Sequence, residues 1–228
     1  MNCYKNFWSH CNFYILLLSF CCFGLNEMRD ENLFVLLAAY NGELYIEQQI
    51  ITILKQSYKP SKILINVDES TDKTLSIINQ YAKKNKQIEI LNSKKRFGSS
   101  AKNFIDLLIN VDLTDAHYIC LADQDDIWNE DKLEKAIQKL KQGYDGYSSN
   151  VEAFWEDGRK KVLFKEQPQQ QYDHLFESAG PGCTFVFKKK FAFVLQDFLK
   201  KNQHNYVNEA YHDWLIYAFA DKQFPMVY

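Results

Sequence analysis

Residues 118–128 read YICLADQDDIW, an apolar segment followed directly by three carboxylates within four residues, Asp123, Asp125 and Asp126. The apolar part predicts a buried strand, so the carboxylates lie where that strand ends. Ligands of open α/β sheets bind outside the carboxyl ends of the strands, and Mg²⁺ is held by one or two carboxylates together with substrate phosphates. One interpretation is therefore a metal-assisted site for a nucleoside diphosphate. The other is an acidic turn without a ligand, because two carboxylates about 4 Å apart in water repel by only about 1 kcal/mol.

Strand-like and helix-like segments alternate around this stretch. Continuous apolar runs predict strands at Leu33–Ala38, Ile63–Ile65, Ile88–Leu91 and Tyr118–Leu121. Apolar residues at helical spacing predict helices that carry Ile46–Leu54, Leu75–Tyr81, Ala101–Leu108 and Leu133–Leu140. The triplet Ser70-Thr71-Asp72 is typical of a helix start and precedes the second of these helices. The alternation predicts an α/β fold with a mostly parallel sheet flanked by helices.

The alternation ends beyond Gln142, where a different pattern begins. Residues 151–164 predict a hairpin that turns at Glu156-Asp157-Gly158, and Gly180-Pro181-Gly182 predicts a tight turn. A strand at Cys183–Phe187 and helices at Phe191–Leu199 and Tyr211–Ala220 are predicted after them. The absence of a linker predicts one domain, residues 32–228, made of the halves 32–142 and 143–228, the second smaller and of mixed structure.

Composition excludes several classes of protein. The 228 residues carry a formal net charge of -2, so no nucleic-acid partner is expected. Six cysteines are present, without C-x-x-C pairs or zinc spacing, and this usage favours reduced thiols over a disulfide framework. Cys120, in the apolar strand pattern, is expected to be a buried thiol.

The first 31 residues form an extension before the domain pattern. Phe13–Leu25 is apolar but shorter than the roughly 20 residues of a membrane-spanning helix. Three interpretations remain: a marginal membrane anchor, a leader that packs on the domain, and an upstream extension before a start at Met28. The third is favoured, because the domain pattern begins soon after Met28.

Polar candidates follow other predicted strands as well. They are Tyr40, Asn41 and Glu43 after the first strand, Asp68 and Glu69 after the second, and Lys102 at the start of the third helix. A turn, a capping loop or a surface charge explains each of them singly. Taken together, they indicate a binding site more strongly, because a parallel sheet brings the carboxyl ends of its strands to one edge. The chain has no P-loop motif, and no G-x-G-x-x-G follows the first strand, which argues against a P-loop ATPase and a dinucleotide-dependent oxidoreductase.

Four motifs together resemble those of family 2 glycosyltransferases. They are Ala39-Tyr40-Asn41-Gly42-Glu43, Asp68-Glu69-Ser70-Thr71-Asp72, the stretch from Gly98 to Asn103, and Asp123-Gln124-Asp125-Asp126. Pro181-Gly182-Cys183-Thr184 and His212-Asp213-Trp214 are similar to the bacterial rhamnosyltransferase-like subgroup that makes surface polysaccharides. The resemblance covers Leu33 to about Ala220 and implies the GT-A fold of nucleotide-diphospho-sugar transferases. It also implies that residues 32–142 bind the nucleotide and that residues 143–228 carry the acceptor side and the catalytic base.

The resemblance implies a role for seven side chains. It places Tyr40, Glu43 and Asp68 at the nucleotide base, Lys102 at the nucleotide or its phosphates, and Asp123 near the ribose. Asp125 is the implied ligand of a Mg²⁺ or Mn²⁺ ion that bridges the diphosphate, and Asp213 is the implied general base of an inverting reaction. From the residues alone, the preferred interpretation of Asp213 is a carboxylate stabilised by a helix N-terminus.

The chain departs from the family pattern in two places. The family usually has two aspartates and then a glycine after the second strand, where this chain has Val67, Asp68 and Glu69, so the base selectivity is open. The chain also ends at Tyr228, soon after the implied base, whereas relatives commonly continue with further helices. A minimal or truncated form is therefore expected.

The sequence predicts an inverting, metal-dependent glycosyltransferase of cell-surface glycan synthesis. The donor is a nucleotide-diphosphate sugar, with rhamnose as the candidate sugar, and the acceptor is a lipid-linked saccharide or a polysaccharide. The alternatives are an inactive paralogue that binds nucleotide sugars and a nucleotidyltransferase of the same fold. Because donor nucleotides are cytosolic, the domain is expected in the cytoplasm, with peripheral association at the inner face of the membrane.

Overall fold

The computed structural model describes residues 31–91, 96–155, 157–165, 172–176, 178–206, 211–221 and 224–227. The fold belongs to the compact unit Asn32–Tyr228. The apolar run Phe13–Leu25, and with it almost all of the predicted extension 1–31, lies outside the described residues. Among the helices of the described ranges, none combines the length and the apolar character needed to cross a bilayer.

Nine strands are described in chain order. Their bounds are β1 Leu33–Ala39, β2 Lys62–Val67, β3 Ile88–Leu91, β4 Tyr118–Ala122, β5 Gly146–Tyr147, β6 Val151–Phe154, β7 Lys160–Leu163, β8 Val186–Lys188 and β9 Met226–Val227. Seven of them form one sheet in the order β3-β2-β1-β4-β8-β5-β9, and β6 pairs with β7 in a separate antiparallel hairpin. The parallel pairs β1–β2, β1–β4 and β2–β3 confirm the predicted parallel half.

Within the same described ranges, six α-helices accompany the strands. Their bounds are α1 Ile46–Leu54, α2 Thr74–Lys84, α3 Ser100–Asn110, α4 Lys132–Lys141, α5 Lys189–Tyr206 and α6 His212–Asp221. Each of them overlaps a predicted helix. The predicted capping triplet Ser70-Thr71-Asp72 ends one residue before the N-cap of α2, which is Lys73 and makes no side-chain capping bond. Asp72 accepts hydrogen bonds from the Thr74 N–H at 2.9 Å and from the Thr74 hydroxyl at 2.5 Å.

The core consists of two apolar layers, one on each face of the sheet. All seven residues of β1 are buried, and they alternate between the layers as the period of a strand requires. Phe34 and Leu36 pack with Phe104 of α3 and Phe191 of α5. Val35 and Leu37 lie in the other layer, with the apolar residues of α1, α2 and α4. Burial on both faces explains why the sequence of β1 is a continuous apolar run. Polar side chains that could bind a ligand are therefore found at the ends of the strands.

The second half differs from the prediction in two respects. The stretch Cys183–Phe187 predicts one strand, but Gly182–Thr184 is a 3-10 helix and β8 begins only at Val186. Hydrogen bonds of 2.9 Å from the Thr184 N–H to the Pro181 oxygen and from the Phe185 N–H to the Gly182 oxygen fold this segment into a turn. In addition, β8 is antiparallel to β4 and to β5, so it runs against the other six strands of the described sheet.

Candidate functional site

The loops after β1, β2 and β4 meet at one edge of the sheet, because these strands are parallel neighbours. They border a cavity of about 420 Å³, which also takes in the start of α3 and is called the strand-end cavity below. Of the seven predicted site residues, Tyr40, Asp68, Asp123 and Asp125 line it. The structure thus brings together four side chains that lie up to 85 positions apart in the sequence.

Asp68 is buried, with 3% of its surface exposed, and both oxygens of its carboxylate accept hydrogen bonds from backbone N–H groups. Oδ1 accepts hydrogen bonds from the Glu69 N–H at 2.7 Å and the Phe97 N–H at 3.0 Å, and Oδ2 accepts one from the Gly98 N–H at 3.0 Å. These bonds tie the segment before α3 to the end of β2. As a consequence, Gly98 and Ser99 are held at the rim of the strand-end cavity.

Gln124 fastens the β4 loop to the β1 loop, a role that the sequence did not reveal. Its Oε1 accepts a hydrogen bond from the Tyr40 N–H at 2.7 Å, and its Nε2 donates to the Tyr40 oxygen at 2.9 Å. The amide side chain supplies both the acceptor and the donor that this pair of bonds requires. A Cβ atom at Gly42 would lie 2.5 Å from Oε1, so Gly42 provides the space that Gln124 occupies. The nearest signal in the sequence was the pairing of an Asn-Gly turn with a glutamine inside an acidic run.

Glu43 and Lys102 are not among the residues that line the strand-end cavity. The Glu43 Oε2 accepts a hydrogen bond from the Lys73 N–H at 2.9 Å, just before α2, where the helix dipole favours a negative charge. The backbone N–H of Lys102 donates to the Ser99 hydroxyl at 3.3 Å in the first turn of α3. One position further along this helix, Asn103 is buried and does line the cavity.

Three protonatable groups cluster at the end of β4, and one of them, Asp123, also lines the strand-end cavity. Ligand atoms of Asp123, Asp126 and Cys183 lie within 4.8 Å of one another. Burial raises the pKa of Asp123 to about 7, and the charges of Asp126, Asp125 and Asp213 add to this effect. Burial also raises the pKa of Asp126. The pKa of the Cys183 thiol is raised by burial and by both carboxylates, so the group stays protonated and hydrogen bonds to them.

The donor set at the end of β4 fits a hard divalent cation. Carboxylate oxygens are the ligands that Mg²⁺ and Mn²⁺ prefer, whereas a protonated thiol is not a ligand for either. The Oδ2 atom of Asp126 is buried and has no hydrogen-bond partner within the described ranges, so one carboxylate oxygen here is unsatisfied. Asp125 is exposed at the mouth of the strand-end cavity and also borders a second, larger cavity. The residues present therefore match the predicted cation.

Asp213 lies in the first turn of α6, which the chain packs against α3. Its Oδ1 accepts a hydrogen bond from the Trp214 N–H at 2.8 Å, and its charge contributes to the raised pKa of Asp123. Asp213 does not line the strand-end cavity but stands within electrostatic reach of one of its carboxylates. Asp213, on α6 of the second half, therefore lies close to the cavity that is formed by loops of the first half.

His212, next to Asp213, is held in place by two neighbours. Its ring stacks on Phe104 with a centroid distance of 4.2 Å and an interplanar angle of 22°. On the other side, a Cβ atom at Gly182 would lie 2.3 Å from the His212 Nε2. Burial lowers the pKa of His212, which keeps the ring neutral in this apolar setting. The sequence indicated Gly182 as part of a turn and of a family motif, but not its contact with His212.

Replacing Gly182 with alanine is expected to lower the free energy of unfolding by about 1–3 kcal/mol, the usual range for overpacking of a buried position. The new methyl group cannot fit unless His212 leaves its place on Phe104. Urea denaturation followed by circular dichroism measures the change. The cost should shrink when His212→Ala is also present, because the two side chains no longer collide. Equal urea midpoints for Gly182→Ala and the unmodified chain would contradict the close contact.

Comparisons with known proteins agree with this geometry. Residues 34–218 match the family described as Glycosyl transferase family 2. A dTDP-rhamnosyl transferase, RfbG of Shigella flexneri, is 42% identical over 186 residues, which cover 81% of this chain and 64% of that protein. The chain thus spans less than two thirds of the length of this curated relative.

Two solved structures show a similar fold. The crystal structure of S. aureus TarS 1-349 in complex with UDP aligns with a TM-score of 0.59 at 18% identity, over 86% of this chain and 60% of that chain. The mannosyltransferase PcManGT from Pyrobaculum calidifontis, in complex with GDP-Man and Mn²⁺, gives a TM-score of 0.60 at 15% identity, over 86% and 54%. The predicted GT-A fold is thereby confirmed. With its family match over most of its length, this chain belongs to glycosyl transferase family 2.

Proposed function

We propose that the chain transfers a sugar, with inversion, from a nucleoside diphosphate donor to an acceptor of cell-surface glycan synthesis. The observation that carries the proposal is the gathering of Asp68, Asp123 and Asp125 around one cavity, with the charge of Asp213 acting on Asp123. The donor with the strongest support is dTDP-rhamnose, because the 42% identical relative is named a dTDP-rhamnosyl transferase. The acceptor is a lipid-linked saccharide or a polysaccharide.

Each chemical requirement of the reaction has a candidate side chain. Tyr40 and the start of α3 line the strand-end cavity, which would take the nucleotide, and Asp123, which lines the same cavity, would meet the ribose. Asp125, with the neighbouring carboxylates, would hold Mg²⁺ or Mn²⁺. When bound, such an ion offsets the negative charge that develops on the leaving diphosphate. Asp213 accepts the proton of the acceptor hydroxyl as that oxygen attacks the sugar, since a carboxylate within about 3 Å can act as a general base.

Two predicted roles take a modified form in this proposal. Asp68 already accepts three backbone hydrogen bonds, so it contributes by fixing the loop before α3 as well as by facing the base. Glu43 contributes by accepting a hydrogen bond from the backbone before α2. Lys102 would contact the nucleotide or its phosphates from the first turn of α3. The protein works in the cytoplasm, where nucleotide sugars are made, at the inner face of the membrane that carries its acceptor.

Binding of nucleoside diphosphates tests the proposal directly. At a concentration of 100 Kd, a ligand that binds only the folded chain adds about 2.7 kcal/mol. This corresponds to a rise in melting temperature of about 5–10 °C for a domain of this size. We expect this rise with dTDP and Mn²⁺, a smaller rise with dTDP in EDTA, and none with thymidine.

A thermal-shift series with dTDP, UDP and GDP measures this binding and the base preference together. The matched control is Asp115→Asn, a carboxylate that precedes β4 at the opposite edge of the sheet and should leave the shift unchanged. The absence of a shift with all three diphosphates would contradict the proposal. Binding of dTDP without any turnover of dTDP-rhamnose would instead identify an inactive paralogue, and formation of a nucleotide sugar from a sugar phosphate would identify a nucleotidyltransferase.

A further inference from the structure

The strand-end cavity lies past the point where β1 and β4 stop pairing. The ladder between these two strands ends at the pair Leu37–Ala122, whereas β1 stays paired with β2 through Ala39. Ala38 and Ala39, which follow the last β1–β4 pair, both line the cavity. The backbone ladder therefore does not fix the position of the β1 end relative to the β4 end at the place where a donor would bind.

The side chain of Gln124 joins the two strands again beyond this gap. Its Oε1 accepts a hydrogen bond from the Tyr40 N–H at 2.7 Å, and its Nε2 donates to the Tyr40 oxygen at 2.9 Å. The amide thus offers the Tyr40 backbone the donor and the acceptor that a neighbouring strand would offer. These are both of the hydrogen bonds that the described residues form between the β1 loop, residues 40–43, and the β4 loop, residues 123–126. Hydrogen bonding between these two loops therefore depends on one side chain.

The β1 loop is also held on its other side, by the segment before α2. The Asn41 N–H donates to the Ser70 hydroxyl at 3.1 Å, and the Asn41 Oδ1 accepts a hydrogen bond from the Thr71 N–H at 2.9 Å. The Gly42 N–H donates to the Thr74 hydroxyl at 2.7 Å. Loss of the Gln124 bonds would therefore leave the loop attached to the β2 side of the sheet and would change only its position relative to β4.

Gly42 provides a second, independent way to disturb the Gln124 contact. A Cβ atom at this position would lie 2.5 Å from the Gln124 Oε1 and 2.7 Å from its Cδ. Gly42 is not among the glycines with a positive φ, so an alanine can adopt its backbone conformation. The atoms that the methyl group would meet belong to the end of a flexible side chain. Gly42→Ala is therefore expected to displace the amide and to leave the backbone in place.

Gln124 lies between two of the carboxylates proposed to bind the donor. Asp123 and Asp125 line the strand-end cavity together with Tyr40, on the opposite side of the Gln124 hydrogen bonds. In the proposed function, Tyr40 meets the nucleotide base, and the two aspartates meet the ribose and the metal. Two contacts with one ligand reinforce each other only when the ligand can reach both at once. The separation of the two loops therefore matters for affinity.

We propose that Gln124 is a positioning residue for the donor, whose amide holds Tyr40 at the distance from Asp123 and Asp125 that one nucleoside diphosphate can span. This inference rests on the proposed function, since it concerns the same donor site. Gln124 acts on the donor through Tyr40 and is assigned no contact with it. The expected consequence is a coupling between the two ends of the site. Mn²⁺ tightens the binding of dTDP, and this gain shrinks when the amide is removed.

Isothermal titration of dTDP in Mn²⁺ and in EDTA measures the gain as a ratio of two dissociation constants. Gln124→Met has a similar length but lacks the amide donor and acceptor. It should lower the ratio about fivefold or more, the lower end of typical coupling between sites. Binding of Mn²⁺ without nucleotide, followed by electron paramagnetic resonance, should stay within about twofold, because both aspartates remain. The matched control is Gln138→Ala, an exposed glutamine of α4 that should keep the full ratio.

The ratio separates positioning from a purely structural role. If Gln124 only stabilised the fold, Gln124→Met would lower the melting temperature and leave the ratio unchanged, and this result would overturn the proposal. Gly42→Ala should reproduce the loss with Gln124 still present, because the methyl group displaces the amide. This variant decides the question by itself if Gln124→Met does not fold. A full ratio in Gly42→Ala would likewise overturn the proposal.

The same titrations distinguish this proposal from the proposed function. If the unmodified chain binds no dTDP with Mn²⁺, the donor assignment and the positioning role are both overturned. If it binds dTDP with a gain from Mn²⁺ that neither variant reduces, the donor assignment stands and only the positioning role is overturned. A reduced gain in both variants, with unchanged Mn²⁺ binding, supports the proposal.

Discussion

The variant Asp213→Asn transfers its sugar about 10²- to 10⁴-fold more slowly than the unmodified chain, the range typical for loss of a general base. Asparagine has the same shape and can still accept the hydrogen bond that the Trp214 N–H donates to Asp213 at 2.8 Å. The first turn of α6 therefore stays intact. An amide cannot take up the proton of the acceptor hydroxyl, so the chemical step alone is affected. Affinity for dTDP should remain within about twofold, because Asp213 does not line the strand-end cavity.

Release of dTDP from dTDP-rhamnose, with a glycolipid extract of the source cells as acceptor, measures this loss. The control is Asp197→Asn on α5, an exposed carboxylate paired with Lys201 at 2.6 Å, which should leave the rate unchanged. A rate for Asp213→Asn within threefold of the unmodified chain would exclude this residue as the base. In that case the interpretation of Asp213 as a helix N-terminal charge would be preferred.

The first half of the fold could be predicted because its signals are local. The apolar run of β1 and the helical spacing in α1 each span a single element, and burial on both faces leaves a clear pattern in the sequence. The carboxyl-end rule then placed Tyr40, Asp68, Asp123 and Asp125 at one edge without any knowledge of contacts. The two-residue strands β5 and β9 carry no period to detect, and the direction of β8 depends on pairing with β4 rather than on its own residues.

The parts of the site that the sequence did not reveal are contacts between distant segments. Gln124 bonds to the backbone of Tyr40, which lies 84 positions earlier. The space left by Gly182 is filled by His212, and the Cys183 thiol meets two carboxylates of the β4 loop. A glutamine, a glycine and a cysteine have many structural uses, so residue type alone does not indicate these partners. Glu43 is the opposite case, in which the sequence suggested a partner that the structure does not show. It matched a family motif after β1, but its carboxylate accepts a hydrogen bond from the backbone before α2.

Replacing Asp125 with asparagine is expected to remove the dependence of transfer on Mn²⁺ and to slow transfer by about a hundredfold or more. A divalent cation contributes several kcal/mol to a transition state in which charge develops on phosphate oxygens, and about 3 kcal/mol corresponds to a hundredfold in rate. Asp125 is an exposed carboxylate that lines the strand-end cavity, so its replacement leaves in place the cluster of the half-buried Asp123 and Asp126 and the buried Cys183. The melting temperature without ligand should therefore change little.

The decisive experiment removes the metal from the unmodified chain and from Asp125→Asn, and then restores it. The unmodified chain in EDTA should lose its activity and the Mn²⁺-dependent part of the dTDP thermal shift, and both should return when excess Mn²⁺ is added. Asp125→Asn should show the low activity and the small shift under both conditions, whereas Asp115→Asn should behave like the unmodified chain. Full restoration of Asp125→Asn by Mn²⁺ would mean that Asp125 is not a metal ligand. Full activity of the unmodified chain in EDTA would mean that the transfer does not use a metal, because the charge on the leaving diphosphate would then be stabilised by the chain itself.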